Sequence, residues 1–131
     1  MIRNKEAILA LEATADLSAK DGYFVKASTT KCALVTAVND VPLGVITSGD
    51  VAAGNTSVAL PNFGGIVSAK VGATPGTIAL GTKLMMNADG TVRALTASAG
   101  TYFYVAIALE TGAANELIAV RLIEPIAVTV A

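Results

Sequence analysis

At 131 residues the chain is one domain, long enough for a real core and too short for two. Nine basic and ten acidic residues leave a net charge of −1, and the basic ones scatter from Arg3 to Arg121. This excludes the clustered positive charge that phosphate contacts need, so no nucleic-acid partner is expected. There is no histidine and one cysteine, which excludes a structural zinc site, a Ser-His-Asp triad and an internal disulfide.

In chain order, short alternating runs predict strands at Ala7–Thr14, Tyr23–Ala27, Lys31–Val38, Leu43–Ser48 and Thr56–Leu60. They continue at Gly65–Val71, Lys83–Asn87, Val92–Leu95, Tyr102–Leu109 and Leu117–Ile123. Turn chemistry falls between them, at Lys20-Asp21-Gly22, Asn39-Asp40, Ala53-Gly54-Asn55, Pro61-Asn62, Thr74-Pro75-Gly76 and Thr111-Gly112. The clearest hairpin is Asn87-Ala88-Asp89-Gly90, where glycine supplies the positive φ of a tight loop. The alanine-rich stretches Leu34–Val38 and Ala94–Gly100 are the only helix-like segments, and their serine, threonine and glycine suit turns better. The predicted fold is therefore all-β, a compact barrel or sandwich of short strands with little helix.

An offset of 60 residues relates the two halves. Ala13-Thr14 matches Ala73-Thr74, Ala19 matches Ala79, Thr36-Ala37 matches Thr96-Ala97, and Val45 matches Val105. Ala53, Asn55 and Ala59 match Ala113, Asn115 and Ala119, nine identities in one register. Residues of about 11–62 and 71–122 thus read as two pseudo-repeated β units within a domain of 16–131, preceded by an N-terminal arm or edge strand at 1–15.

The apolar fraction of 53% includes 25 alanines, so the large apolar side chains are ordinary in number. The longest apolar run, Tyr102–Leu109, is eight residues, far below the roughly 18 that a membrane helix needs, so no membrane partner is expected. The start MIRNKEAILALEAT lacks the apolar stretch and cleavage site of a signal peptide, which predicts a soluble, intracellularly made protein.

The candidate chemistry is sparse. Gly76 to Lys83 imitates a phosphate-binding loop, but the lysine falls one place late and Leu84-Met85-Met86 reads as a strand where that loop needs a helix. Asn39, Asp40 and Asp50 are too dispersed for calcium, and Asn87, Asp89 and Gly90 fit a turn. Glu12 with Asp16 and Glu110 with Glu116 read as solvated loop carboxylates rather than acid–base pairs, and no tryptophan is present to hold a sugar. Cys32 reads as a small core residue, and Met85-Met86 as one inward and one outward side chain. No catalytic residue, cofactor or metal is expected, and the chain is not read as an enzyme. In Tyr102-Phe103-Tyr104, alternation puts the two tyrosines on one face and Phe103 on the other, making Tyr102 and Tyr104 candidate interface anchors.

The runs AILALEATADLSAKDGYFVK, VPLGVITSGDVAAG, GGIVSAKVGAT and VAIALETGAANELIAVRLIEP, together reaching from Ile8 to about Val128, resemble the capsid cement or decoration proteins of tailed-phage heads. The resemblance implies a structural protein on the outer surface of the head, made in the host cytoplasm. It implies binding to the major capsid protein, self-association as a homotrimer, and stabilisation of the expanded shell by bridging coat subunits. The matching arm, Met1 to Ala15, places Leu9 and Leu11 on one face and Ile8 on the other, suited to adding a strand to a partner sheet or to forming an edge of its own. Ile8, Leu9, Leu11, Tyr102 and Tyr104 are the candidate partner-binding residues. The alternatives are a head-fibre or receptor-binding module and a minor coat protein.

Overall fold

A computed structural model describes residues 8–48, 55–61, 65–94 and 99–131. The described residues contain no helix and ten strands. They are β1 (Ile8–Glu12), β2 (Phe24–Ser28), β3 (Lys31–Leu34), β4 (Gly44–Ser48), β5 (Asn55–Ala59), β6 (Ile66–Lys70), β7 (Lys83–Met86), β8 (Val92–Ala94), β9 (Gly100–Ala108) and β10 (Leu117–Val130). All ten alternating runs of the sequence are present. The threonine- and valine-rich composition favours pleated over helical backbone.

The strands form two five-stranded antiparallel sheets, ordered β1-β5-β4-β2-β3 and β6-β10-β9-β7-β8. Adding five to each strand number turns the first order into the second. The pairing repeats too: Ile8↔Ala59, Leu9↔Val58 and Ala10↔Ser57 return 60 residues later as Ser68↔Ala119, Ala69↔Ile118 and Lys70↔Leu117. The turn before β2 also repeats. Gly22 (φ 85°) donates to the Ile46 carbonyl at 2.8 Å, and Gly81 (φ 89°) donates to the Ala108 carbonyl at 2.8 Å. The molecule thus contains one β unit twice.

Each sheet curls until its end strands meet. In the first, Ala13 and Cys32 form a parallel bridge, the Thr14 N–H donates to the Cys32 carbonyl at 3.0 Å, and Lys31 lies 3.7 Å from Glu12. In the second, Val71 bridges Val92 and the Gly72 N–H donates to the Val92 carbonyl at 3.0 Å.

Two cores result. The smaller lies inside the first unit and holds Leu17, Val25, Cys32, Ile46 and Val58. The larger joins the units: Phe24, Val35, Val45 and Ala59, on the opposite face of the first sheet, pack against Leu84, Met86, Val92, Ile118 and Val120 of the second. Glycine makes this junction possible. The Phe24 N–H donates to the Gly90 carbonyl at 2.8 Å, and a Cβ on Gly90 would lie 2.7 Å from the Phe24 carbonyl oxygen. Gly90 also has φ 87°, so the hairpin read in the sequence is the element that docks one unit on the other.

Most strand bounds shift by a residue or two from expectation, and three differences stand out. The strand expected at Lys31–Val38 stops at Leu34 because the Asp40 carboxylate gathers the Thr36 and Ala37 N–H groups at 2.9 and 3.0 Å and turns the chain. Gly100 and Thr101 extend β9 at its start. The last strand, expected to end at Ile123, runs on to Val130, its register shifting between Leu122 and Ile126 so that Pro125 falls in the irregular stretch. Residues 95–98, which include most of the second alanine-rich stretch, lie outside the described residues.

Candidate interaction surface

The expected binding residues fall on two separate sheets. Ile8 and Leu9, in β1 at the rim of the first sheet, are 39% and 42% exposed, whereas Leu11 is partly buried against the smaller core. β1 pairs with β5 in its own sheet. Ala7 and the residues before it lie outside the described part.

Tyr102 and Tyr104 share one face of β9, opposite Val128 and Ile126 of β10, while Phe103 faces the other way and packs against the larger core. Tyr102 is only 7% exposed, and its hydroxyl donates to the Ala99 carbonyl at 3.2 Å. Tyr104 is half-buried beneath the Lys83 ammonium, 5.5 Å from the ring centroid, a cation–π contact.

The carboxylates are occupied by local backbone. Glu110 accepts the Ala119 N–H at 2.7 Å and Glu116 the Ala113 N–H at 2.8 Å, which fixes the turn between β9 and β10. Asp89 accepts the Thr91 N–H and hydroxyl at 3.1 and 2.6 Å, closing the β7–β8 hairpin. Asp40 also takes the Lys26 ammonium at 3.1 Å. The Thr36 N–H first, and then Lys26, hold its carboxyl down at about 2. Asp16 is lowered by the Ser18 hydroxyl and N–H that cap its loop. Cys32 is fully buried, and burial pushes its thiol up. Among the described residues no three His, Cys, Asp or Glu side chains gather as a metal site would require.

Two apolar features were not evident in the sequence. The first is an open groove of about 520 Å³ between the units, lined by Val41, Pro42, Leu60, Pro61, Phe103 and Pro125, with Glu124 as its sole charge. Prolines lack an N–H, so three of these residues cannot offer a backbone donor to a partner. The groove is assembled from four distant stretches of chain, so no local motif announces it. The second is the outer end of the β9–β10 pair, where Gly100–Tyr104 face Ile126–Val130. The alternation Ile126, Val128, Val130 signals it, but Pro125 reads as a strand end.

No protein-family model matches the chain, and no curated protein matches it. Among solved structures the fold is similar to that in the crystal structure of the head fiber gp8.5 N base of bacteriophage phi29, at TM-score 0.62 and 15% identity. The match covers 90% of this chain and 94% of that one. At that identity the likeness is one of fold.

Proposed function

We propose that this protein is a structural component of a bacteriophage head, a decoration protein that binds the outer surface of the expanded shell as a trimer and bridges coat subunits. The observation that carries the reading is the fold it shares, over 90% of its length, with the base of a phage head fibre. A head fibre is part of a phage head, and sharing the fold of its base supports a head-associated role for this chain. The chain's 6709 Å² of surface has room for several patches of the roughly 800 Å² per partner that a stable interface uses. Low charge and abundant small apolar residues suit close contact with neighbouring protein better than life as a free monomer.

The mechanism is adhesive. A protein that binds the assembled shell and not its separated subunits stabilises the assembly by mass action. Several weak contacts around each trimer act together, so release requires all of them to break at once. No bond is made or broken.

The same match supports a second reading, in which the chain is the seat of a head fibre rather than a cement. Copy number separates the two. Purified virions analysed by quantitative mass spectrometry should contain about one chain per coat subunit for a cement. A handful per particle would favour the fibre base. Absence from virions, with no binding to expanded heads, would overturn both.

A further inference from the structure

Inside the molecule the outer face of the first sheet is covered, with Phe24, Val45 and Ala59 buried against the second unit. The same face of the second sheet looks outward. Its register sets one row of directly opposed residues across four strands: Ile66 of β6, Arg121 of β10, Ile107 of β9 and Lys83 of β7. Direct partners share a face, and alternation places the pair Lys70 and Leu117 on it as well. Ile66 is 70% exposed and Leu117 51%, and Lys83 and Arg121 are exposed too. Ala119, in the middle, is only partly buried, whereas its counterpart Ala59 is sealed at the junction.

Charge is sorted onto this face. Strands β6 to β9, and β10 as far as Leu122, hold four charged residues, Lys70, Lys83, Arg93 and Arg121. All are basic, in a chain whose net charge is −1. All lie on the outer face, Arg93 through its pairing with Met85. Glu124, beyond them, lines the groove between the units. The ion pairs among the described residues, Lys26–Asp40 and Lys31–Glu12, both belong to the first unit. At the rim Lys70 shares a hollow with Asp21, while Arg121, at the centre, has an isoleucine on either side.

We infer that this face docks on a partner protein whose own surface is acidic, its cations taking carboxylates and its isoleucines and Leu117 taking apolar side chains. Under the decoration reading, on which the partner's identity rests, that surface belongs to the coat shell. A second copy is not the occupant. Within the molecule an outer face is received by an inner one, and both inner faces are filled, the first around Leu17 and the second by the first unit. Nucleic acid would take the cations and leave the aliphatic side chains in water. A pleated, nearly flat face matches another folded surface better than a bilayer that must be entered. The four strands and the span from Ile66 to Lys70 make about 300 Å², well under the roughly 800 Å² per partner of a stable pair. One copy therefore holds weakly, and firm retention comes from several copies acting together.

The test is co-sedimentation of the full chain with expanded heads that lack it, with circular dichroism as the check on fold. Wild-type binding is expected to weaken as salt rises from about 0.05 to 0.5 M. Arg121→Glu should bind at least about tenfold more weakly, and Ile66→Ser about fivefold. Lys31→Glu, the same charge change in the first unit, should stay within about twofold of wild type. Should Arg121→Glu lose its fold, Lys83→Glu repeats the test at another exposed position. A folded Arg121→Glu that binds heads as wild type does overturns the inference and leaves the decoration reading intact. Wild type that ignores heads removes the decoration reading, and the face is then judged on immobilised poly-L-glutamate. Retention of wild type and not of Arg121→Glu keeps the inference; equal behaviour overturns it. Arg121-dependent binding to phosphatidylserine vesicles or duplex DNA, stronger than to polyglutamate, overturns the choice of a protein partner.

Discussion

Val25 and Leu84 hold matching places in the two units, and so do Phe24 and Lys83, yet only the first pair has the same fate. Val25 and Leu84 are both buried on the inner face of their own sheet, Val25 in the smaller core and Leu84 in the larger one. Phe24 is 2% exposed at the junction with the second unit, while Lys83 stands in solvent and covers Tyr104. The units therefore do not bury equivalent faces against each other, as a true twofold would require. The outer face of the first fills the inner face of the second, and the first closes on its own loop residue Leu17. Duplication has kept the backbone pairing and relaxed the outer face, because ladder hydrogen bonds tolerate most side chains whereas a buried face does not.

That contrast can be broken directly. Phe24→Ala should cost about 3–5 kcal/mol, as expected for a large aromatic removed from a joint core. Lys83→Ala, its counterpart, should change stability by no more than about 0.5 kcal/mol. Urea unfolding of both variants checks this, and equal losses would remove the asymmetry. Gly90→Ala comes next, at about 2–3 kcal/mol, since a Cβ meets the Phe24 backbone and φ is positive. A two-step melt for this variant would reveal the units separating before they unfold.

The third test concerns the first unit alone. Asp40→Asn should cost about 1–2 kcal/mol at pH 7 through weakened bonds to Thr36, Ala37 and Lys26. The folded carboxyl is depressed below its unfolded value, so its contribution is present in full above about pH 4 and fades as pH falls toward 2. Melting curves of wild type and variant should converge over that range. The smallest effect is expected at Thr29, which holds φ 57° in the β2–β3 hairpin where the β7–β8 hairpin has Gly90. A β-branched residue is strained there, and Thr29→Asn should gain about 0.5 kcal/mol in the same unfolding assay.

The strands were legible because each is a short alternating run between turn residues, and the repeat because nine identities share one offset. Less legible was anything decided across the chain. Asp40 ends β3 by reaching back to Thr36, which no local pattern announces. Pro125 reads as a terminator, but the irregular register between Leu122 and Ile126 lets the strand resume. Of the five binding candidates, Tyr102 and Leu11 are covered by their own chain, because alternation reports which side a residue takes and not what lies on that side. The Pro42–Pro61–Pro125 groove depends wholly on how the two units meet.

Cys32 offers a last consequence. Its thiol is sealed beside the bridge to Ala13, so a thiol reagent reaches it only when that seam parts. Labelling of the native protein should therefore proceed at the frequency of opening, not at the intrinsic speed of the chemistry, and a single side chain becomes a clock for breathing of the first unit. Timed on free protein and on filled particles, that clock would tell how firmly a surface partner holds the fold shut.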